Sequence, residues 1–141
     1  MAGTWYHHEI RVRYQETDQM GVVYHANYLT WFEMGRTEWI RAFGHTYEEI
    51  ERRGLLLPVT DLEISYKRAA RYDDIVTIWT RLAAMSHVRL EYDFKITRED
   101  ELLVKGKTKH VWVGKDFKPA RIDKKAPDLY ALLTNHVSEE A

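Results

Sequence analysis

Two side chains that could do chemistry, Asp18 and His25, stand immediately before a long aromatic helix predicted by the sequence. A carboxylate can attack an acyl carbon directly or activate a water molecule. It becomes effective when a polarised carbonyl group lies beside it, and the unpaired N–H groups at a helix start can supply that polarisation. Gly21 would let the intervening backbone turn and approach a ligand closely. The alternative is that Asp18 only caps a turn and that His25 is a structural histidine.

The helix that would position these residues is predicted over residues 27–43. At about 100° per residue, its five aromatic residues share one face with a glycine, and polar residues lie opposite. Asn27 is the expected N-cap, and Gly44 stands where a left-handed residue commonly ends a helix. The shared face consists of Tyr28, Trp31, Phe32, Gly35, Trp39 and Phe43.

Alternating apolar and polar residues predict five strands. The first covers residues 8–14 and places Ile10 and Tyr14 on the same face. The fourth, over residues 88–97, has the clearest alternation, and the lysines of the fifth should lie opposite its charged face. The other strands are predicted after Pro58, over residues 75–84 and over residues 102–113.

Two shorter helices complete the predicted order of elements. Thr46 begins a capping box for a helix that Gly54 can end, and Pro127 suits the first turn of a last helix. The order of one strand, a long helix, a short helix, four strands and a short helix favours an α+β fold. We therefore predict one domain over residues 1–141, with a five-stranded antiparallel sheet wrapped around the long helix.

The composition argues against several classes of protein. The chain has 21 basic and 22 acidic residues, a formal net charge of −1, which is not typical of a nucleic-acid-binding protein. The absence of cysteine excludes disulfides, thiolate nucleophiles and cysteine-based zinc sites. No apolar run approaches about 18 residues, so no membrane span is predicted. The N-terminal residues lack the features of a signal peptide, and a cytoplasmic location is the default expectation.

Common catalytic and cofactor motifs are missing from the sequence. It has no Gly-x-Ser-x-Gly, no His-Glu-x-x-His and no Gly-x-Gly-x-x-Gly, and its histidines are scattered. Residues 106–108 (GKT) look like the end of a P-loop, but the earlier glycine is missing and the segment is predicted to be a strand. We therefore expect neither a metal nor a cofactor.

The segment RYQETDQMGVVYHANYLTWFEMGRTEWIR resembles the signature of the 4-hydroxybenzoyl-CoA thioesterase family, in particular its YbgC-like acyl-CoA thioesterases. The resemblance continues through residues 66–74 (YKRAARYDD) and extends over nearly the whole chain in element order and length. It implies the hot-dog fold and a homodimer with active sites at the subunit interface, with a tetramer left open. The second strand would then be free to pair with a copy of itself.

The resemblance also implies roles for residues near the helix start. Asp18 falls on the family's catalytic carboxylate, which acts as nucleophile or general base, and His25 on the position whose backbone N–H polarises the thioester carbonyl. Tyr24 and Asn27 match positions that shape the pocket and the start of the helix. Glu33 is a reserve candidate, because some hot-dog enzymes carry their carboxylate on the long helix.

A second set of residues is expected to bind coenzyme A by the same resemblance. It consists of Ser86, His87, Arg89 and Arg121. Arginine suits phosphate, although Arg89 and Arg121 could equally be ordinary solvated charges. A further basic cluster, Lys67, Arg68 and Arg71, is expected at a sheet edge rather than on phosphate.

These implications favour an acyl-CoA thioesterase that needs no cofactor. The second hypothesis is a hot-dog protein that binds acyl-CoA or an acylated carrier protein without turnover, against which the intact Asp18 motif argues. Dehydratase chemistry ranks last, because His25 precedes the long helix and lies within the thioesterase pattern. Short, long and aromatic acyl groups all remain open.

Overall fold

The computed structural model describes residues 5–138, which form one antiparallel sheet with helices packed against it. The strands lie in the order β1-β3-β4-β5-β2. The elements along the chain are β1 (Tyr6–Arg11), a 3-10 turn (Tyr14–Glu16), α1 (Asn27–Ala42), α2 (Tyr47–Arg52), β2 (Val59–Tyr66), β3 (Ile75–Met85), β4 (Arg89–Arg98), β5 (Glu101–Val111), α3 (Ile122–Lys125) and α4 (Pro127–His136). The predicted α+β class and hot-dog arrangement are confirmed.

Helix α1 packs closely on the sheet through the predicted face. Its buried residues are Tyr28, Trp31, Phe32, Gly35, Trp39 and Ile40, and Phe43 is only partly buried. A Cβ atom at Gly35 would lie only 2.4 Å from Thr80 Oγ1 and 2.7 Å from Ile78 Cγ2. Glycine at this position therefore allows the helix to approach β3 more closely than any other residue would.

Strands β4 and β5 follow the predicted pattern. The apolar face of β4 is buried, and its charged face meets the lysines of β5. Lys107 and Lys109 both lie near Glu91, with Nζ to carboxylate distances of 3.7 Å and 3.5 Å. The exception is Lys105, which stands opposite Lys95. These partly exposed pairs contribute little to stability but agree with the predicted register.

Two local predictions are wrong, and one short helix was missed. Strand β1 ends at Arg11, and Tyr14 begins a 3-10 turn with its side chain 75% exposed. Asn27 is the first residue of α1 rather than its N-cap, a position that Ala26 occupies without a side-chain hydrogen bond. The short helix α3 was not predicted.

The Thr46 cap of α2 is confirmed, with its hydroxyl accepting from the Glu49 N–H at 3.1 Å.

Strand β2 lies at one edge of the sheet, beside β5. It carries three partly exposed apolar side chains, Val59, Leu62 and Tyr66. An edge strand with exposed apolar residues is suited to pairing with another chain. The predicted homodimer through this strand stays a prediction.

Among residues 5–138, none of the helices has the length and apolar character needed to cross a membrane.

Candidate active site

Asp18 lies in a tight loop, residues 17–23, between the 3-10 turn and α1. Thr17 and Val23 pair as an isolated antiparallel bridge that closes the loop. Inside it, the Asp18 N–H donates to the Val22 carbonyl at 2.9 Å, and the Gly21 N–H donates to the Asp18 carbonyl at 3.0 Å. Gly21 has φ +80°, a left-handed conformation that favours glycine. The backbone of this Asp18 loop is therefore fixed by its own hydrogen bonds.

The carboxylate of Asp18 is half-buried and only partly used by the loop. Its Oδ1 accepts from the Met20 N–H at 2.9 Å, which is the turn-capping contact considered as the alternative role. Its Oδ2 accepts no hydrogen bond from any residue between 5 and 138. A carboxylate held through one oxygen, with the other available, can both order a turn and react.

The backbone at the start of α1 offers an unpaired donor. The carbonyl oxygen of Tyr24 accepts from the Asn27 N–H at 2.9 Å, and that of His25 accepts from the Tyr66 hydroxyl at 3.3 Å. In the part of the chain described, the His25 N–H donates to no acceptor. The positive end of the helix dipole lies here, so this N–H suits a developing negative charge on oxygen.

The side chains around this donor have different surroundings. The imidazole of His25 is exposed and packs against the Tyr24 ring, with 4.6 Å between ring centroids. Tyr24 is itself 47% exposed. The side chain of Asn27 points back to the loop and donates from Nδ2 to the Glu16 carbonyl at 2.8 Å. The structure therefore brings Asp18, Tyr24, His25 and Asn27 to one end of the molecule.

A buried carboxylate that the sequence analysis missed, Glu16, lies beneath this loop. Glu16 is only 6% exposed. Its Oε1 accepts from the Arg13 N–H at 2.8 Å, and its Oε2 accepts from the Trp31 indole N–H at 2.9 Å. Burial by itself raises the pKa of the Glu16 carboxyl, but these hydrogen bonds, together with the Arg13 guanidinium 3.5 Å from Oε2, outweigh it and hold the pKa below its usual value. The side chain is therefore an ionised anchor with both oxygens occupied.

Of the residues expected to bind coenzyme A, three lie together around the turn between β3 and β4. Ser86 Oγ accepts from the Val88 and Arg89 N–H groups at 3.3 Å and 3.0 Å, so it orders the turn. The carbonyl of His87 accepts from the Ile122 N–H at 2.9 Å, which brings Arg121 alongside. We call Ser86, His87, Arg89 and Arg121 the turn cluster.

The two arginines of the turn cluster differ in their partners. Arg121 binds Asp123 through both ends of its guanidinium, at 3.1 Å and 2.7 Å, and these bonds lower the pKa of the Asp123 carboxyl. The side chain of Arg89 is exposed and pairs with no carboxylate within residues 5–138. Arg89 is therefore the better placed of the two to receive a phosphate.

The turn cluster is remote from Asp18 within one chain. Tyr66, which reaches the carbonyl of His25, pairs with Val104, and Val104 pairs with Ile96. Arg89 begins β4 at its opposite end. Residues 89 and 96 are seven positions apart on one strand, about 23 Å at about 3.3 Å per residue. A single chain therefore presents the reactive groups and the arginines at opposite ends of its sheet.

The other candidates lie outside both regions. Glu33 is exposed on α1 and borders a small cavity of about 160 Å³ that Arg36 and Trp112 also line. Lys67, Arg68 and Arg71 follow the edge strand β2, as predicted, and Arg68 Nε lies 2.8 Å from the Glu101 carboxylate. No group of three or more metal-binding side chains comes together among residues 5–138.

Known proteins with similar sequences and structures agree with this architecture. A sequence profile described as the thioesterase-like superfamily matches residues 12–131. "Putative acyl-CoA thioesterase YneP" of Bacillus subtilis (strain 168) is 43% identical over 122 residues, covering 85% of this chain and 88% of YneP. "Acyl-CoA thioesterase YbgC" of Haemophilus influenzae is 35% identical over 101 residues, covering 71% of this chain and 74% of that protein.

Solved structures give the same result. The structure of a DHNA-CoA thioesterase from Staphylococcus aureus superposes with a TM-score of 0.89 at 38% sequence identity, covering 93% of this chain and 89% of that one. A hypothetical protein from Thermus thermophilus superposes with a TM-score of 0.87 at 35% identity, covering 94% and 97%. The sequence motif, the sheet order and these matches lead to one assignment: the chain belongs to the thioesterase-like superfamily.

Proposed function

We propose that this protein hydrolyses acyl-CoA thioesters to a free acid and coenzyme A. The observation that carries the proposal is that a half-available carboxylate at Asp18 and an unpaired backbone N–H at His25 stand within and just after one hydrogen-bonded loop. Hydrolysis of a thioester needs both parts, a nucleophile or base and a donor for the developing oxyanion. The named activities of YneP and YbgC support the same reaction class.

In the proposed reaction, the thioester carbonyl oxygen accepts a hydrogen bond from the His25 N–H. Asp18 either attacks the carbonyl carbon to form an anhydride that water then cleaves, or removes a proton from a water molecule that attacks instead. In both routes the C–S bond breaks and the thiolate of coenzyme A receives a proton, and a water molecule that attacks the acyl carbon leaves its oxygen on the released acid. The imidazole of His25 is not needed for either route.

Coenzyme A would be bound by a second copy of the chain. Antiparallel pairing of two β2 edges would place the Tyr66 end of one chain beside the Val59 end of the other. Val59 pairs with His110, and the neighbouring pair along β4 and β5 is Arg89 with Val111. The turn cluster of one copy would then approach the Asp18 loop of the other. The separation of about 23 Å along β4 between Arg89 and Ile96, the residue in line with Tyr66, supports this shared site.

A thiol-release assay over short, long and aromatic acyl-CoAs, and one acylated carrier protein, tests the proposed function. Release from any acyl-CoA by the wild-type protein, together with a much slower Asp18→Asn variant, is the expected result. Binding of acyl-CoAs without release would instead support the non-catalytic alternative. Release from the acylated carrier protein alone would show that the substrate is an acyl carrier protein rather than an acyl-CoA.

A further inference from the structure

Glu16 contacts several segments around the Asp18 loop, through its carboxylate and through its backbone carbonyl. Its carboxylate binds the backbone before the 3-10 turn, at Arg13, and the second turn of α1, at Trp31. Its backbone carbonyl accepts from the Tyr24 N–H at 2.9 Å and from Asn27 Nδ2 at 2.8 Å. One residue therefore ties together the chain before the loop, the chain after it and the helix.

These contacts lie directly beside the two groups of the proposed site. Asp18 follows Glu16 by two positions, and the His25 N–H belongs to the residue after Tyr24, whose own N–H binds the Glu16 carbonyl. Any movement of residue 16 would change the position of Asp18 relative to the His25 N–H. Glu16 does not react itself, because it is only 6% exposed and both of its oxygens are occupied.

We propose that Glu16 is a positioning residue for hydrolysis, which holds Asp18 and the His25 N–H at a fixed separation. This inference rests on the proposed function. A displacement of about 1 Å at reacting groups can lower a rate by about 100-fold. Loss of the anchor should therefore reduce kcat while leaving the distant coenzyme A contacts, and hence KM, largely unchanged.

The chemistry of the anchor makes a specific demand on residue 16. Both carboxylate oxygens face N–H donors, one from Arg13 and one from the Trp31 indole. The amide of Glu16→Gln has only one acceptor oxygen, so its NH₂ group must face one of these donors. The variant keeps the size of the side chain and still removes the anchor. Glu16→Asp keeps both acceptors and should recover part of the rate.

The test compares steady-state kinetics and thermal melting for the wild type, Glu16→Gln and Glu16→Asp. We expect kcat to fall about 30- to 100-fold in Glu16→Gln with KM changed less than about threefold, and a smaller loss in Glu16→Asp. Tyr47→Phe is the matched control, because it removes a partly buried hydrogen bond, 2.8 Å to Tyr92, away from the loop. It should lower the melting temperature and leave kcat near the wild-type value.

A second readout does not depend on activity. Amide hydrogen exchange at Tyr24, whose N–H is bonded to the Glu16 carbonyl, should accelerate at least about tenfold in Glu16→Gln and remain slow in Tyr47→Phe. If Glu16→Gln kept both the wild-type kcat and slow exchange, or if Tyr47→Phe lost kcat equally, the positioning role would be wrong. If the wild type releases no thiol, the proposed function fails, and the exchange measurement still decides whether Glu16 anchors the loop.

Discussion

The Asp18 loop and the turn cluster are built in opposite ways. The loop is closed by backbone hydrogen bonds, a left-handed glycine and a buried carboxylate. The turn cluster presents exposed side chains on and beside a hairpin turn, and one of its two arginines, Arg121, is paired with Asp123. Groups that react must be held within fractions of an ångström, whereas the attraction between one exposed cation and a phosphate falls off only gradually with distance. The two regions should therefore fail differently when they are mutated.

The largest expected effect is at Asp18. Asp18→Asn keeps an oxygen that can accept from the Met20 N–H, so the loop should fold, but it removes the nucleophile or base. We expect kcat to fall by at least about 1000-fold with no change in melting temperature. Thiol release and thermal unfolding on the same preparation check this. An Asn variant with more than a tenth of the wild-type kcat would show that Asp18 is neither the nucleophile nor the base.

The buried His110 should make the stability of the protein depend on pH. Burial, and then the charge of Arg36, lower the pKa of His110 from 6.5 to about 4. The unfolded chain therefore binds a proton near pH 6.5 while the folded chain does not, so the free energy of unfolding falls as the pH drops from 6.5 to 4. The total contribution is up to about 3 kcal/mol.

Denaturant unfolding of the wild type and of His110→Gln at pH 7 and pH 4.5 measures this contribution. The wild type should lose more stability than the variant between the two values. Parallel losses in the two proteins would show that His110 does not carry the effect. Thiol release at pH 7 should stay close to the wild-type rate, because the His110 imidazole is buried and bonds to Thr108 and Leu57, not to the Asp18 loop or the turn cluster.

The smallest effect is expected in the turn cluster itself. Arg89→Ala should raise KM about tenfold and leave kcat unchanged, because it removes one exposed cation from coenzyme A. Arg121→Ala is the matched comparison and should raise KM less, since Asp123 already neutralises Arg121. Kinetics with acyl-CoAs and with a truncated thioester lacking the nucleotide show whether each arginine acts on the phosphates. If Arg89→Ala raised KM equally for the truncated thioester, that would argue against a phosphate contact.

The regular elements could be predicted because their patterns are local. The face of α1, the alternation of β4 and the Thr46 cap follow from spacing within a few residues, and the structure confirms them. The prediction at Tyr14 failed because one more alternating residue extends a strand pattern whether or not the strand continues. Asn27 was expected to cap α1, but its side chain instead binds the Glu16 carbonyl.

The anchor of the loop could not be predicted in the same way. Glu16 stands between two polar residues in a segment without periodicity, and its burial depends on an indole fifteen positions further along the chain. The pairing of Arg121 with Asp123 is also a tertiary consequence, since α3 was not expected. The proposed catalytic role of Asp18 rests on the family resemblance, because its spacing alone also fits a turn cap.

The central claim is that one chain supplies Asp18 and another supplies Arg89 to each site. Co-expression of Asp18→Asn and Arg89→Ala chains with different tags allows the mixed dimer to be isolated. In a shared site, the mixed dimer contains one intact site of two, so its kcat/KM should be about half of the wild-type value. If each chain used its own Asp18 and Arg89, no site would be intact, and kcat/KM would stay near about one twentieth, the mean of the two parent variants.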